Sequence, residues 1–409
     1  MPARKKTIAI AAVATIAVGA AVAVPLIAQQ RAASGPVARY DMRAGTVSGM
    51  AGMGGGMGAG LGMMFGGGRG GNVQHELYLR LGSSRAADRG SPKADHFMPS
   101  NAKLGKSVAL VTPREERGGT DEMPQKPQGR LLIYWGCGEH APKGQPVVID
   151  FARVAAGHVP PGVFSSTVVR DWGPTIGNSR TFGRWPAEDG KFVKSDSSLI
   201  GPHRIAANYA PEISFTLARD FMRALSVNTS SLPSGASMVR WGGIPDATGY
   251  YVMLFGGKQG QGDQMRDMVM WSSSASRQFG GGLSDWISPG QVAALVRDRT
   301  VLPPSATSCT VPAEVIRDAP DFRFGTLNAY GPEESFSYPP RPADPRAAWN
   351  LEWTARVRHR STTSWMQAQG MSMGTGGGQQ GQGQQQQNCR PRGLGGMLGG
   401  ALGGGRGGC

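Results

Sequence analysis

Met238-Val239-Arg240-Trp241-Gly242-Gly243-Ile244-Pro245-Asp246-Ala247-Thr248-Gly249-Tyr250-Tyr251-Val252 reads as a strand, a turn and a second strand. Val239 and Trp241 share one face at period two, and Tyr250, Val252 and Leu254 do the same farther on. Gly, Pro and Asp between the two runs supply turn chemistry, so the two apolar faces can be brought together. The same texture extends in both directions from this stretch. His75 to Leu81, Ser107 to Val111, Arg130 to Trp135, Pro146 to Phe151, Ser166 to Val169 and Glu212 to Leu217 are short apolar or alternating runs bounded by Gly, Pro, Asn and Asp, the pattern of a sandwich or barrel. No long 3.6-residue period occurs before Ala218, which disfavours a parallel βαβ sheet.

The stretch from Met238 to Val252 resembles the B strand, BC turn and C strand of a fibronectin type III domain. In that family a strand-B Trp and a strand-C Tyr pack together, and the step from Trp241 to Tyr250 is similar to the family spacing. Phe324-Gly325-Thr326-Leu327-Asn328-Ala329-Tyr330-Gly331-Pro332-Glu333 resembles the F strand and FG loop. The resemblance implies a sandwich over about residues 222–340 and no chemistry of its own. About 70 residues separate the C-like and F-like matches, more than the module needs, which implies an insertion. Within it, Ser288-Pro289-Gly290-Gln291 is a capping box with Pro at the first helical position. Ile287 and Val292 are placed as a hydrophobic staple, predicting a short helix that ends before Pro303 and Pro304. Leu351, Trp353, Ala355 and Val357 alternate with polar residues, predicting a last strand able to pack on either sandwich.

The expected organisation of the 409 residues follows: a leader at 1–30, a Gly/Met-rich disordered spacer at 31–71, a β-sandwich-like domain at 72–221, the fibronectin type III-like domain with its insertion at 222–365, and a Gly/Gln-rich disordered tail at 366–409. The expected fold class is all-β, with two β-sandwich-like domains. Arg4, Lys5 and Lys6 precede an uncharged apolar run from Thr7 to Ala28, the arrangement of an export signal. The run is also long enough for an N-terminal anchor, and both alternatives place the rest of the chain outside the cytoplasm, in the periplasm, at the outer surface or beyond. Cys137, Cys309, Cys389 and Cys409 suit an oxidising compartment and allow three pairings. Cys137 with Cys309 is the expected one, because the other two lie in the tail.

The formal charge of +15 invites a nucleic-acid reading, but residues 72–220 carry only +4 and residues 221–365 only +2. The surplus sits in the flanking stretches, which suits peripheral attachment to anionic lipid headgroups better than a nucleic-acid groove. His75-Glu76 begins like the HExxH zinc-protease motif but has Leu79 at the second ligand position, and Leu104-Gly105-Lys106-Ser107 lacks the first glycine of a phosphate-binding loop. Cys137-Gly138-Glu139-His140 gathers a thiol, a carboxylate and an imidazole, although a disulfide competes with any nucleophilic role. His158 and His203 have no recognisable partners, and Asp171, Asp189 and Asp196 fall in loops. Met50, Met53, Met57, Met63 and Met64 are the candidate soft-metal ligands, suited to Cu(I) or Ag(I), against compositional drift in a Gly-rich stretch. No catalytic residue and no cofactor are expected. The expected role is an exported structural or adhesive protein that binds an envelope protein or polysaccharide. Soft-metal binding and hydrolysis of an envelope polymer are the alternatives.

Overall fold

The computed structural model describes residues 35–53, 73–88, 90–113, 129–158, 169, 171–187, 191–260, 265–280, 282–344, 346–368 and 371–372. In chain order its strands are β1 (Ala38–Gly49), β2 (Gln74–Ser83), β3 (Ala94–Phe97), β4 (Val108–Ala109), β5 (Arg130–Trp135), β6 (Val147–Asp150), β7 (Thr181–Trp185), β8 (Phe192–Val193) and β9 (Gly201–Ala207). They continue with β10 (Ile213–Leu217), β11 (Val227–Ser231), β12 (Ser237–Trp241), β13 (Gly249–Gln259), β14 (Met265–Ser272), β15 (Ser308–Val311), β16 (Phe322–Tyr338), β17 (Trp353–Ala368) and β18 (Met371–Ser372). Eleven of them form one sheet whose main order is β6-β5-β14-β13-β16-β17-β1-β2-β7, with β8 beside β2 and β18 beside β17. A four-stranded sheet, β10-β9-β3-β4, and a three-stranded sheet, β11-β12-β15, complete an all-β, sandwich-like fold.

Both small sheets cover the same face of the long one. Residues opposite each other in a ladder share a face, and Tyr40 lies opposite Ala355, Ala355 opposite Phe336, and Val252 opposite Leu327. On that face Tyr40, Met42, Leu77, Leu79, Leu81, Trp353 and Val357 pack against Ile205, Ile213, Phe215 and Leu217 of the four-stranded sheet. Farther along, Tyr250, Val252, Leu254, Val269, Trp271 and Leu327 pack against Val239, Trp241 and Val311 of the three-stranded sheet. Strand β17 serves both cores, with Trp353 in the first and Trp365 against the second. Each large apolar side chain so buried contributes at most about 1.5–3 kcal/mol.

Different material covers the opposite face. The helix Pro289–Arg297 starts at Ser288 with the expected capping box, and its Val292 and Leu295 pack with Ile287 on Tyr251 and Tyr330. Leu131, Ile133 and Ile149 form another apolar cluster at the β5–β6 end, with Phe151 against it. On β1, β2 and the first half of β17 the same face presents charge instead.

Three expectations are corrected. Residues 38–49, expected within the disordered spacer, form β1, which is parallel to β17 and antiparallel to β2. Its apolar positions, Tyr40, Met42 and Ala44, are interleaved with Arg39, Asp41 and Arg43, and its stability comes from partners distant in the chain rather than from local hydrophobic density. The tail expected from 366 is strand as far as Ala368, followed by β18, because β16 offers partners that far along. The long sheet also crosses the boundary expected at 221, because β5 pairs parallel to β14 while β17 pairs with β1. Expected strands over 130–135 and 212–217 match β5 and β10 closely. Residues 166–168, the leader and most of the Gly-rich tracts lie outside the described residues. Among the described residues no helix is long and apolar enough to cross a membrane.

Candidate functional site

Sheet register assembles a charged cluster from three strands. Arg80 of β2, Asp41 of β1 and Arg356 of β17 lie in one row across the sheet. The next row holds Tyr78, Arg43 and Arg358, and the one after it Glu76, Gly45 and Arg360. Alternation puts all of these on the face away from the small sheets. Asp41 is 1% exposed, and the Arg358 side chain 2%. Asp41 accepts from Arg43 Nε at 2.9 Å, from Arg356 Nε at 3.1 Å and from Arg358 Nη2 at 2.9 Å. A second carboxylate, Asp171, comes from a loop to bind Arg43, Arg356 at 3.2 Å and Arg358 at 3.1 Å, with Arg80 at 3.9 Å. Four guanidinium groups therefore surround two carboxylates.

Two glycines make the arrangement fit. A Cβ on Gly45 would collide with the Glu76 side chain, so its absence leaves room for the Glu76–Arg360 pair, 2.6 Å apart. At Gly173 a Cβ would press on Asp41 and Asp171, and the Gly173 N–H donates to Asp171 Oδ1 at 3.1 Å. Burial alone would raise the Asp171 carboxyl, but Arg43, Arg358, the Gly173 N–H and Arg356 together hold it below the usual carboxylate range. Burial also pushes the Arg80 and Arg358 guanidinium groups below their ordinary value.

The cluster borders an open pocket of about 340 Å³. Arg39, Asp41 and Arg356 line it, together with Trp172, Pro174 and Trp349. Trp172 is 69% exposed. Trp349 is held by its Nε1–H, which donates to Pro339 O at 3.0 Å, and by the Arg341 guanidinium over its ring. Among the described residues Arg39 reaches only neutral acceptors, Asn178 O at 2.9 Å and Asn178 Oδ1 at 3.0 Å.

A second polar group lies inside the first core. His203 Nε2 faces the Leu199 carbonyl at 2.7 Å, so it carries the proton and His203 Nδ1 accepts. His96 Nε2, 3.0 Å from that Nδ1, therefore donates, and His96 Nδ1 accepts from the Tyr40 hydroxyl at 2.7 Å. Every ring nitrogen in this chain of bonds is occupied. Neither imidazole is free to act as a base, although His203 lines a pocket with Ser214. Burial, then the neighbouring His203, drives the His96 pKa well down, and burial lowers that of His203.

No protein-family model, no curated protein and no solved structure matches the chain. Of the other residues singled out in the sequence, Glu76 pairs with Arg360 in the third row and the rest fall away from the cluster. Cys137 and Cys309 stand at disulfide distance, their Cα atoms 5.3 Å apart, while Cys389 and Cys409 lie outside the described residues. His140 pairs with Glu314 at 3.2 Å on the surface, not with Cys137. His75 and Glu76 are neighbours on β2 and so point to opposite faces. His158 is exposed, Asp196 pairs with Lys103 at 2.5 Å, and Asp189 lies outside the described residues. Met50–Met53 is a short 3-10 turn after β1, and Met57, Met63 and Met64 lie outside the described residues. The arginine cluster is missing from the sequence-based expectations. Its signal is nevertheless present in Arg356-Val357-Arg358-His359-Arg360 and in Arg39-Tyr40-Asp41-Met42-Arg43, where charge alternates with other side chains at strand period.

Proposed function

We propose that the protein is an exported, non-catalytic adhesive or structural protein of the cell envelope or extracellular space that holds a polysaccharide in the pocket lined by Trp172 and Trp349. The observation that carries this reading is an indole 69% exposed at a pocket that Arg39 and Arg356 also line. A single exposed apolar side chain is ordinary, but Trp172 lines the pocket together with Pro174 and Trp349. A flat aromatic face beside fixed polar groups is the combination that sugar rings require. The backing is rigid, since Arg356 and Asp41 are strand residues locked by ion pairs and Trp349 is anchored to Pro339.

Export is supported by the charged and apolar halves of the leader and by the Cys137–Cys309 pair, which suits an oxidising compartment. The fibronectin type III-like reading of residues 222–365 is supported by the Trp241 and Tyr250 rings, 5.5 Å apart on strands of different sheets. Strands of that region divide between β11-β12-β15 and β14-β13-β16, as in sandwiches of that architecture.

Titrating the protein with a panel of envelope oligosaccharides while following tryptophan fluorescence tests the reading. A saturable change is expected in the native chain, and its loss in Trp172→Ala and Trp349→Ala. A panel that produces no change, or a change that survives both substitutions, rules the pocket out as the site.

A further inference from the structure

We propose that this pocket selects acidic sugars, with Arg39 and Arg356 holding a ring carboxylate while Trp172 carries the ring; the proposal rests on the saccharide reading above and specifies its ligand. Among the described residues, five guanidinium groups stand around the pocket and its backing, Arg39, Arg43, Arg80, Arg356 and Arg358, against two carboxylates, Asp41 and Asp171. The two carboxylates are shared among the four inner arginines. Arg358 and Arg43, both buried, hold Asp41 from inside, and the same two hold Asp171. Five guanidinium groups against two carboxylates leave a positive surplus, and Arg39, which pairs with neither carboxylate among the described residues, carries part of it into the pocket.

Arg39 is the clearest case, since Asn178 gives it two neutral acceptors and no opposite charge. Arg356 reaches the same pocket from β17, sharing Asp41 and Asp171 with the buried arginines. Guanidinium groups match a carboxylate in geometry and are less strongly hydrated than ammonium groups, so they suit a half-enclosed anion site. A uronic acid presents its carboxylate on the sugar ring itself, and one pocket can then take charge and ring together. The cavity, about 340 Å³, lies at the lower end of the usual range for small-molecule sites, roughly 300–1,000 Å³.

Isothermal titration of the full chain with oligogalacturonate and oligomannuronate, each beside its neutral methyl ester, and with inorganic phosphate alone, tests this. The acids should bind at least about tenfold more tightly than the esters, the scale of a charge-assisted hydrogen bond lost to a neutral group. That preference should shrink with added salt and collapse in Arg39→Gln, while Trp172→Ala weakens acids and esters alike. Arg39 bonds only to Asn178 among the described residues, so Arg39→Gln should keep the native melting temperature; Arg356→Gln, which enters the ion-pair network, serves as the second variant. Equal binding of acids and esters overturns the proposal and leaves the saccharide reading standing. Failure of acids and esters together removes both. Phosphate bound at the same Arg39-dependent site while all the sugars stay inert would assign it to a free anion and also overturn the proposal.

Discussion

The two faces of β1 and β17 are built from one alternation and behave as opposites. Toward the small sheets stand Tyr40, Met42, Ala355 and Val357, which the four-stranded sheet buries. One residue along in each case stand Asp41, Arg43, Arg356 and Arg358, mostly buried as well but held by charge. Apolar contacts are non-directional, so the first face tolerates exchange of one well-fitting shape for another. Ion pairs out of water hold only while every partner is present. The charged face is therefore the less forgiving of the two, and the arginines that reach the pocket are fixed by a network rather than by any single contact.

Removing the central anion should break this contrast most severely. Asp41→Asn leaves Arg43, Arg356 and Arg358 around a neutral amide, and loss of one partner from a buried pair costs about 3–5 kcal/mol. Urea unfolding would measure it. A double variant, Asp41→Asn with Arg358→Met, should recover part of that loss, because it removes one of the buried guanidinium groups that Asp41 no longer balances and leaves Asp171 to the others. Should the single substitution cost less than about 1 kcal/mol, within the range of exposed pairs, the cluster is not an interdependent network.

On the apolar face Leu79→Ala should cost about 2–5 kcal/mol through lost transfer and a cavity, with no change in ligand affinity. Leu79 is fully buried under the four-stranded sheet. A matching loss of affinity in material that is still folded would show that the two faces are not separable.

A smaller effect follows from the histidines set within that apolar core. Both His96 and His203 have folded pKa values below the ordinary value, so folding favours the neutral rings. Their contribution is fully present above about pH 6.5 and is lost as pH falls below it toward the folded values, because the unfolded chain takes up the protons first. Stability should fall by up to about 1.4 kcal/mol per pH unit for each ring that titrates. The Asp171 carboxylate, whose pKa is lowered, keeps its contribution through that window and loses it only as pH drops below about 4. In His96→Gln the slope between about pH 6.5 and 5 should flatten; an unchanged slope would mean that other groups carry the dependence.

The difference between the faces also marks how far the sequence can be read. Strand texture, the helix at Pro289–Arg297 and the Trp241–Tyr250 pairing are legible because each is local, fixed by period, capping residues or a short turn. Strand β1 is not, because its neighbour β17 lies some 300 residues away and its composition merges into a Gly-rich stretch. Asp171 reads only as a loop carboxylate, and nothing in one sequence says that a loop will lower it onto Arg43 and Arg358. Alternating arginines on a strand look like a solvated face. Only register, which places Asp41 beside Arg356 and Arg80, turns them into a site.

The smallest expected change in stability is also the sharpest test of what the charged face is for. Trp172→Ala removes a side chain that is 69% exposed and contributes to none of the apolar cores, so the unfolding free energy should move by no more than about 0.5 kcal/mol. Affinity for the sugar should nevertheless fall by about tenfold or more, since an aromatic platform in contact with a ligand contributes on the order of 1–3 kcal/mol. Asp41→Asn should show the reverse weighting, with stability lost first and binding weakened only as Arg356 loses its anchor. If Trp172→Ala instead lowered stability as much as Leu79→Ala does, the indole would be part of the packing, and the charged face would be a structural clamp rather than a surface that meets a ligand.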